Sequence, residues 1–116
     1  VVKEVSKEWN LLPLDIYVVV DDVDLPLGKI RIKPKGGDGC HRGMENIIYC
    51  LKTNFFPRLR IGIATEQNMR PAEKYVLKPF RSTDYNKVKQ MINAGTDALD
   101  SILNRGINYS MNKYNS

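Results

Sequence analysis

Histidine occurs once in this sequence, tryptophan once and cysteine twice. One imidazole and two thiols fall short of the four ligands of a structural zinc site unless carboxylates join them, so no metal is expected. Cys40 and Cys50 do not make a disulfide framework, and two reduced thiols are expected. No apolar run approaches the roughly 20 residues that span a bilayer, which gives no reason to expect a membrane partner. No signal peptide is visible. An initiator methionine is also lacking. Val1, Val2, Val5, Trp9 and Leu12 fall near helical spacing, so the sequence opens inside an amphipathic helix and reads as truncated at its N-terminus.

What remains is an ordinary globular composition. The 116 residues suit one domain with a hydrophobic core of its own. The balance of 18 Lys+Arg against 13 Asp+Glu leaves a net charge of +5. That excess permits a nucleic-acid partner and does not demand one.

The hydrophobic pattern alternates between strand-like and helix-like segments. Pro13 is expected to end the first helix. Ile16 to Val20 is a continuous β-branched run, as in a strand buried on both faces. Asp21, Asp22 and Asp24 follow at its C-terminal end. Residues 29–33 alternate strictly, with Ile30 and Ile32 opposite Lys29, Arg31 and Lys33. A glycine-rich loop leads into a helix from about Arg42 to Lys52, whose stripe is Met44, Ile47, Ile48 and Leu51. Arg58 to Ile63 reads as another strand. A polar loop from Ala64 to Arg70 and a short helix from Pro71 to Leu77 come next. Ser82 or Thr83 can cap a longer helix with Val88, Met91, Ile92, Leu99, Ile102 and Leu103 as its buried face, stopped by Gly106. The tail from Ile107 to Ser116 is polar and reads as frayed. Strands separated by helices imply a layered α/β domain, with ligands near the C-terminal strand ends.

Four groups of residues could carry chemistry. Lys29, Arg31, Lys33 and Lys35 share one strand face, and Arg58 and Arg60 share another. If the strands adjoin, these cations form one surface suited to phosphates; the alternative is a solvated face that discourages edge aggregation. The segment from Pro34 to Gly43 places four glycines, Gly36, Gly37, Gly39 and Gly43, within eight positions just before a helix. Free N–H groups there favour an anion. Neither a Walker loop nor a dinucleotide fingerprint is present, and a flexible connection is the alternative. The carboxylates Asp21, Asp22 and Asp24 could act as acid and base, bind a hard cation or orient a histidine; the plainer reading is turn chemistry. His41 has no clearly paired serine or cysteine nucleophile, and a lone loop histidine is more often a hydrogen-bonding residue.

The order of these features is similar to a known family. DDVDLPLGKIRIKPKGGDGCHRG, then FPRLRIGI, then PAEKYVLKPF resembles the bacterial-type peptidyl-tRNA hydrolases, with their D-x-D-L stretch, GG-x-GGHNG loop, R-L-R-I-G strand and Y-V-L-x-x-F segment. The resemblance implies a three-layer α/β/α fold around a mixed, twisted central sheet, incomplete here. It implies hydrolysis of the ester between a peptide and the terminal ribose of tRNA, by a histidine general base and without metal or cofactor. The partner it implies is the acceptor stem and 3′ end of peptidyl-tRNA. It further implies a cytoplasmic (in a eukaryote, organellar) monomer.

Carried over residue by residue, Asp21 matches the carboxylate that orients the catalytic histidine, and His41 matches the loop histidine. Lys33 and Arg60, with Arg31 and Arg58 beside them, match the basic positions that grip tRNA phosphate. Gly36, Gly37, Gly39 and Gly43 match the gate loop. The family's T-R-H-N, G-N-P-G and M-N-x-S-G motifs have no counterpart in this sequence. Arg42 stands where the family has an active-site asparagine. Two other readings follow: a non-catalytic RNA-binding relative, favoured by Arg42, and a small-molecule phosphate binder, disfavoured by the length of the cationic stripe.

Overall fold

The computed structural model describes residues 1–39, 41–65 and 78–115. Cys40, the short helix expected from Pro71 to Leu77 and nearly all of the polar loop before it lie outside the described residues. The element order is α1 (Val2–Glu8), a 3₁₀ turn (Pro13–Asp15), β1 (Val18–Pro26), β2 (Ile30–Lys33), α2 (Arg42–Leu51), β3 (Arg58–Ala64), a 3₁₀ turn (Ser82–Asp84), α3 (Tyr85–Arg105) and α4 (Ile107–Tyr114). The described strands form one mixed sheet in the order β1-β3-β2. β1 runs parallel to β3, and β2 runs antiparallel to it. The fold is therefore the mixed α/β arrangement expected.

The strict alternation in β2 does what its pattern requires. Ile30 and Ile32 are buried while Arg31 and Lys33 are exposed. Ile30 and Ile32 pair with Ile61 and Leu59 of β3, and this apolar face meets Leu27, Met91, Ala98 and Ile102 in the core. α3 reaches the sheet through Met91, Gly95, Ala98 and Ile102. Their spacing of three and four residues makes a narrow stripe, and small Gly95 and Ala98 let the helix approach the sheet closely. A Cβ at Gly95 would lie 3.7 Å from Leu59 Cδ2. Ile92 and Leu103, expected on this face, are instead exposed, Leu103 by 73%. Apolar character had suggested them, but small Gly95 and Ala98 are the residues buried in their place.

Three other expectations are corrected. α1 ends at Glu8, before Pro13, and none of its residues is buried. Pro13 instead opens the first 3₁₀ turn. β1 runs on through Asp21, Asp22 and Asp24, because the first two carboxylates have partners described below. It is also not covered on both faces, Val19 being 45% exposed; β1 is an edge of the described sheet.

The C-terminal tail is not frayed. Ile107, Met111 and Tyr114 pack on the core, and Ser110 is buried between them. The Ser110 hydroxyl donates to Gly106 O at 2.9 Å and lies 2.6 Å from the Ser101 hydroxyl. Past the helix, Asn115 acts as a surrogate strand. Its Oδ1 accepts the Ile32 N–H at 2.7 Å and its Nδ2 donates to Ile32 O at 2.8 Å. One side-chain amide thereby satisfies both main-chain groups of a residue on the outer edge of β2.

Asn115→Ala should therefore lower the unfolding free energy by about 1–3 kcal/mol, the scale for leaving buried polar groups unpaired. Asn115→Asp, which keeps only the acceptor, should fall between. A urea midpoint unchanged by both substitutions would mean that water serves the β2 edge equally well.

Candidate functional site

The two charged strand faces adjoin, as their alternation allows. Arg31 lies opposite Arg60, and Lys33 opposite Arg58, across the antiparallel β2–β3 pair. The four cations nevertheless differ in what covers them. Arg31 and Lys33 are exposed. Arg58 is only 1% exposed, which departs from the expectation of a solvent-facing stripe. Its Nη1 donates to Gly37 O at 2.7 Å, and its Nη2 donates to Asn54 O at 2.8 Å and Phe56 O at 3.3 Å. The guanidinium also stacks 4.5 Å from the centre of the buried Phe56 ring. Burial first, and the neighbouring Arg60 charge second, lower the Arg58 pKa from its ordinary value.

Arg60 is mostly covered. Its Nη1 lies 3.4 Å from Asp22 Oδ2, and the two side chains are 15% and 14% exposed. Its Nη2 donates to Gly37 O, also at 3.4 Å. Both contacts are at the long limit of a hydrogen bond, and the buried Nε, like that of Arg58, has no partner among the described residues. The other oxygen of Asp22 accepts the Asp24 N–H at 2.8 Å. Turn chemistry, the plainer reading of this acidic group, thus holds for one oxygen of Asp22 while the other meets a cation.

The glycine loop lies over these two arginines. Gly37 supplies the shared carbonyl. Gly39 has φ +59°, and a Cβ there would lie 2.6 Å from Arg60 Nη1. Asn54 O, which takes Arg58, also accepts the Gly36 N–H at 3.3 Å. The loop ends at His41, the N-cap of α2. His41 Nδ1 accepts the Met44 N–H at 3.0 Å, so that nitrogen carries no proton. The ring proton is then on Nε2, which donates to Asp21 Oδ1 at 2.9 Å. Gly43 makes this ring position possible, since a Cβ there would come within 2.9 Å of His41 Cε1. Gly43, matched by resemblance to the gate loop, is the second residue of α2, inside the helix expected from about Arg42. Arg42 is the first residue of that helix and is exposed.

Chemically, this is a held loop above a cationic sheet face, closed at its far end by a carboxylate–imidazole pair. Asp21 and His41 were expected to serve different roles and here meet each other. Sequence reasoning missed Asn54 and Phe56, whose main-chain oxygens carry no side-chain signal. It also missed the pairing of Asp22 with Arg60. An open groove of about 700 Å³ lined in part by Lys3, Ile48, Tyr49 and Cys50 adjoins this site at Asn54, which lines both.

Comparison with known proteins gives the family. The family model described as peptidyl-tRNA hydrolase matches residues 1–116. The chain belongs to the peptidyl-tRNA hydrolase family. It is 39% identical over 111 residues to the peptidyl-tRNA hydrolase of Pseudothermotoga lettingae, covering 96% of this chain and 59% of that protein. It is 41% identical over 116 residues to that of Thermodesulfovibrio yellowstonii, covering 98% and 62%. Among solved structures it is similar to the peptidyl-tRNA hydrolase of Acinetobacter baumannii, with a TM-score of 0.85 at 27% identity over 97% of this chain and 57% of that one. A peptidyl-tRNA hydrolase in complex with n-propanol gives a TM-score of 0.79 at 32% identity, with the same coverage. The chain spans about three-fifths of the length of these relatives.

Opposed residues on one face of this hydrolase-family sheet should respond differently to loss of charge. Arg58→Met removes a fully buried guanidinium and its hydrogen bonds to three main-chain oxygens, so it should cost about 2–5 kcal/mol of stability. Lys33→Met, on an exposed position directly across the ladder, should change stability by no more than about 0.5 kcal/mol. Equal effects in parallel denaturant titrations would show that Arg58 is not the anchor of the loop.

Proposed function

We propose that this chain is the C-terminal part of a hydrolase that cleaves the ester between a peptide and the 3′-terminal ribose of tRNA. On this reading it supplies the tRNA-facing surface and the Asp21–His41 frame of the site but not the general base. One observation carries the proposal: the glycine loop is fastened over a cationic sheet face with that pair at its end, in a chain that matches the family throughout. Lys33 and Arg31 are the exposed phosphate contacts. Arg60 joins them from beneath the loop, and Arg58 acts by holding the loop. The partner is the acceptor stem and 3′ end of peptidyl-tRNA, and the protein works as a cytoplasmic (in a eukaryote, organellar) monomer.

A general base needs a free lone pair aimed at water. His41 is the one histidine in the sequence, and its unprotonated nitrogen is taken by the Met44 N–H. This chain alone should therefore not deacylate a labelled peptidyl-tRNA above the no-enzyme rate. Deacylation that disappears in His41→Ala would make His41 the base and overturn the assignment. Lys33→Ala should weaken binding of uncharged tRNA and reduce the slope of log affinity against log salt by about one, whatever the tRNA sequence. An unchanged slope in the folded variant would leave Lys33 as a solvated face residue.

Arg42 favours a second reading, a non-catalytic RNA-binding relative. An asparagine amide offers a donor and an acceptor, whereas a guanidinium offers donors only and a permanent charge. In the full-length protein, Arg42→Asn should raise turnover and weaken binding of unesterified tRNA, each by about 1–3 kcal/mol. Steady-state hydrolysis and binding at fixed salt measure the two. Lower turnover with asparagine would make Arg42 a working part of the site.

A further inference from the structure

The charge arrangement around Arg60 departs from that of a ready phosphate contact. Arg60 lies directly opposite exposed Arg31 on the cationic face, yet it is only 15% exposed. Its guanidinium has a buried Nε without a partner among the described residues and contacts of 3.4 Å to Asp22 Oδ2 and to Gly37 O. Good charge-assisted hydrogen bonds are shorter, near 2.7–2.9 Å. Arg60 is thus covered but poorly satisfied. Asp22 is constrained in a different way: its Oδ1 is committed to the Asp24 N–H at 2.8 Å, so the carboxylate cannot turn to chelate Arg60 with both oxygens. The pair combines an anion fixed by a turn with a cation on a long, rotatable stem.

We propose that Asp22 stands in for an RNA phosphate on Arg60, so that carboxylate and phosphate compete for one guanidinium. This rests on the reading of the cationic face as a phosphate surface. A phosphate arriving at Arg31 brings oxygen acceptors to the neighbouring strand position. Arg60 exchanges both of its long contacts, from Nη1 to Asp22 and from Nη2 to Gly37 O, for shorter ones to phosphate. Because Arg60 also donates to Gly37 O, the exchange removes one of the two arginine contacts on that carbonyl, while Arg58 keeps the other at 2.7 Å. RNA binding therefore loosens the glycine loop without releasing it. By linkage, whatever frees the loop from Arg60 favours RNA by the same factor.

The test is a double-mutant cycle on binding of uncharged tRNA across a salt series. Asp22→Asn removes the competing charge and keeps an oxygen for the Asp24 N–H. It should tighten binding about three- to tenfold and steepen the salt slope by about one, as one more phosphate is neutralised. Both gains should vanish in the Arg60→Ala background. A gain that survives without Arg60 would show a general charge effect and overturn the proposal, as would weaker binding by folded Asp22→Asn. The unmutated protein provides a check independent of folding: the Arg60 Nε–H resonance should shift as tRNA is added, while that of Arg58 stays in place. A static Arg60 resonance, with tRNA bound through Lys33, overturns this inference and leaves the phosphate surface intact. Absence of any tRNA binding overturns both.

Discussion

A buried guanidinium with no carboxylate beside it among the described residues organises this molecule. Arg58 draws together the glycine loop at Gly37, the end of the α2 connection at Asn54 and the approach to its own strand at Phe56. Three main-chain oxygens and an aromatic face share the charge. The lowered pKa of Arg58 says that burial works against the cation, so the carbonyls offset a desolvation cost more than they add stability. What the arrangement fixes is position. An apolar residue of similar size would fill the space, leave Gly37 O and Asn54 O with only their longer contacts from Arg60 and the Gly36 N–H, and take the anchor from the loop.

The same strand alternation thus yields two kinds of cation. Lys33 and Arg31 face water; Arg58 and Arg60, directly opposite them, face the loop. Alternation specifies which side chains share a face, and no more. Which of them are covered depends on the path of the chain between β2 and α2, and glycines allow that path to pass close over a guanidinium. At Gly39 a side chain would collide with Arg60. The glycines expected as a mobile gate also let the loop lie down on the sheet.

Legibility followed the range of the interaction. β2, α2 and β3 were readable because their signals are local: an alternating strand, a loop into a 3.6-residue stripe, a proline before a strand. The length of β1 was not readable, since the aspartates that would end an isolated strand are held by Arg60 and His41, 38 and 20 residues away. The C-terminal tail was misread for the same reason. Its serines and asparagines look solvated, yet Ser110 is buried against α3 and Asn115 completes a strand 83 residues earlier. In the site, Asp21, His41 and the basic strand were found through residue type and order. The carbonyls of Asn54 and Phe56 could not be, because any residue offers the same oxygen.

On the proposed function, the geometry of the Asp21–His41 pair divides the chemistry between this chain and a base outside it. With Nδ1 capping α2 and Nε2 donating to Asp21, His41 has no lone pair left for a substrate. Asp21 is different. It is 40% exposed and gives one oxygen to His41, and an ionised carboxylate has acceptor capacity on both oxygens. A second imidazole approaching from the exposed side would find a carboxylate already oriented by the first. On the proposed function, His41 is the support that fixes Asp21, and Asp21 the group that would fix a base. Such a support is useful only if it does not move, and the close approach of Gly43 to the ring meets that requirement at the helix end.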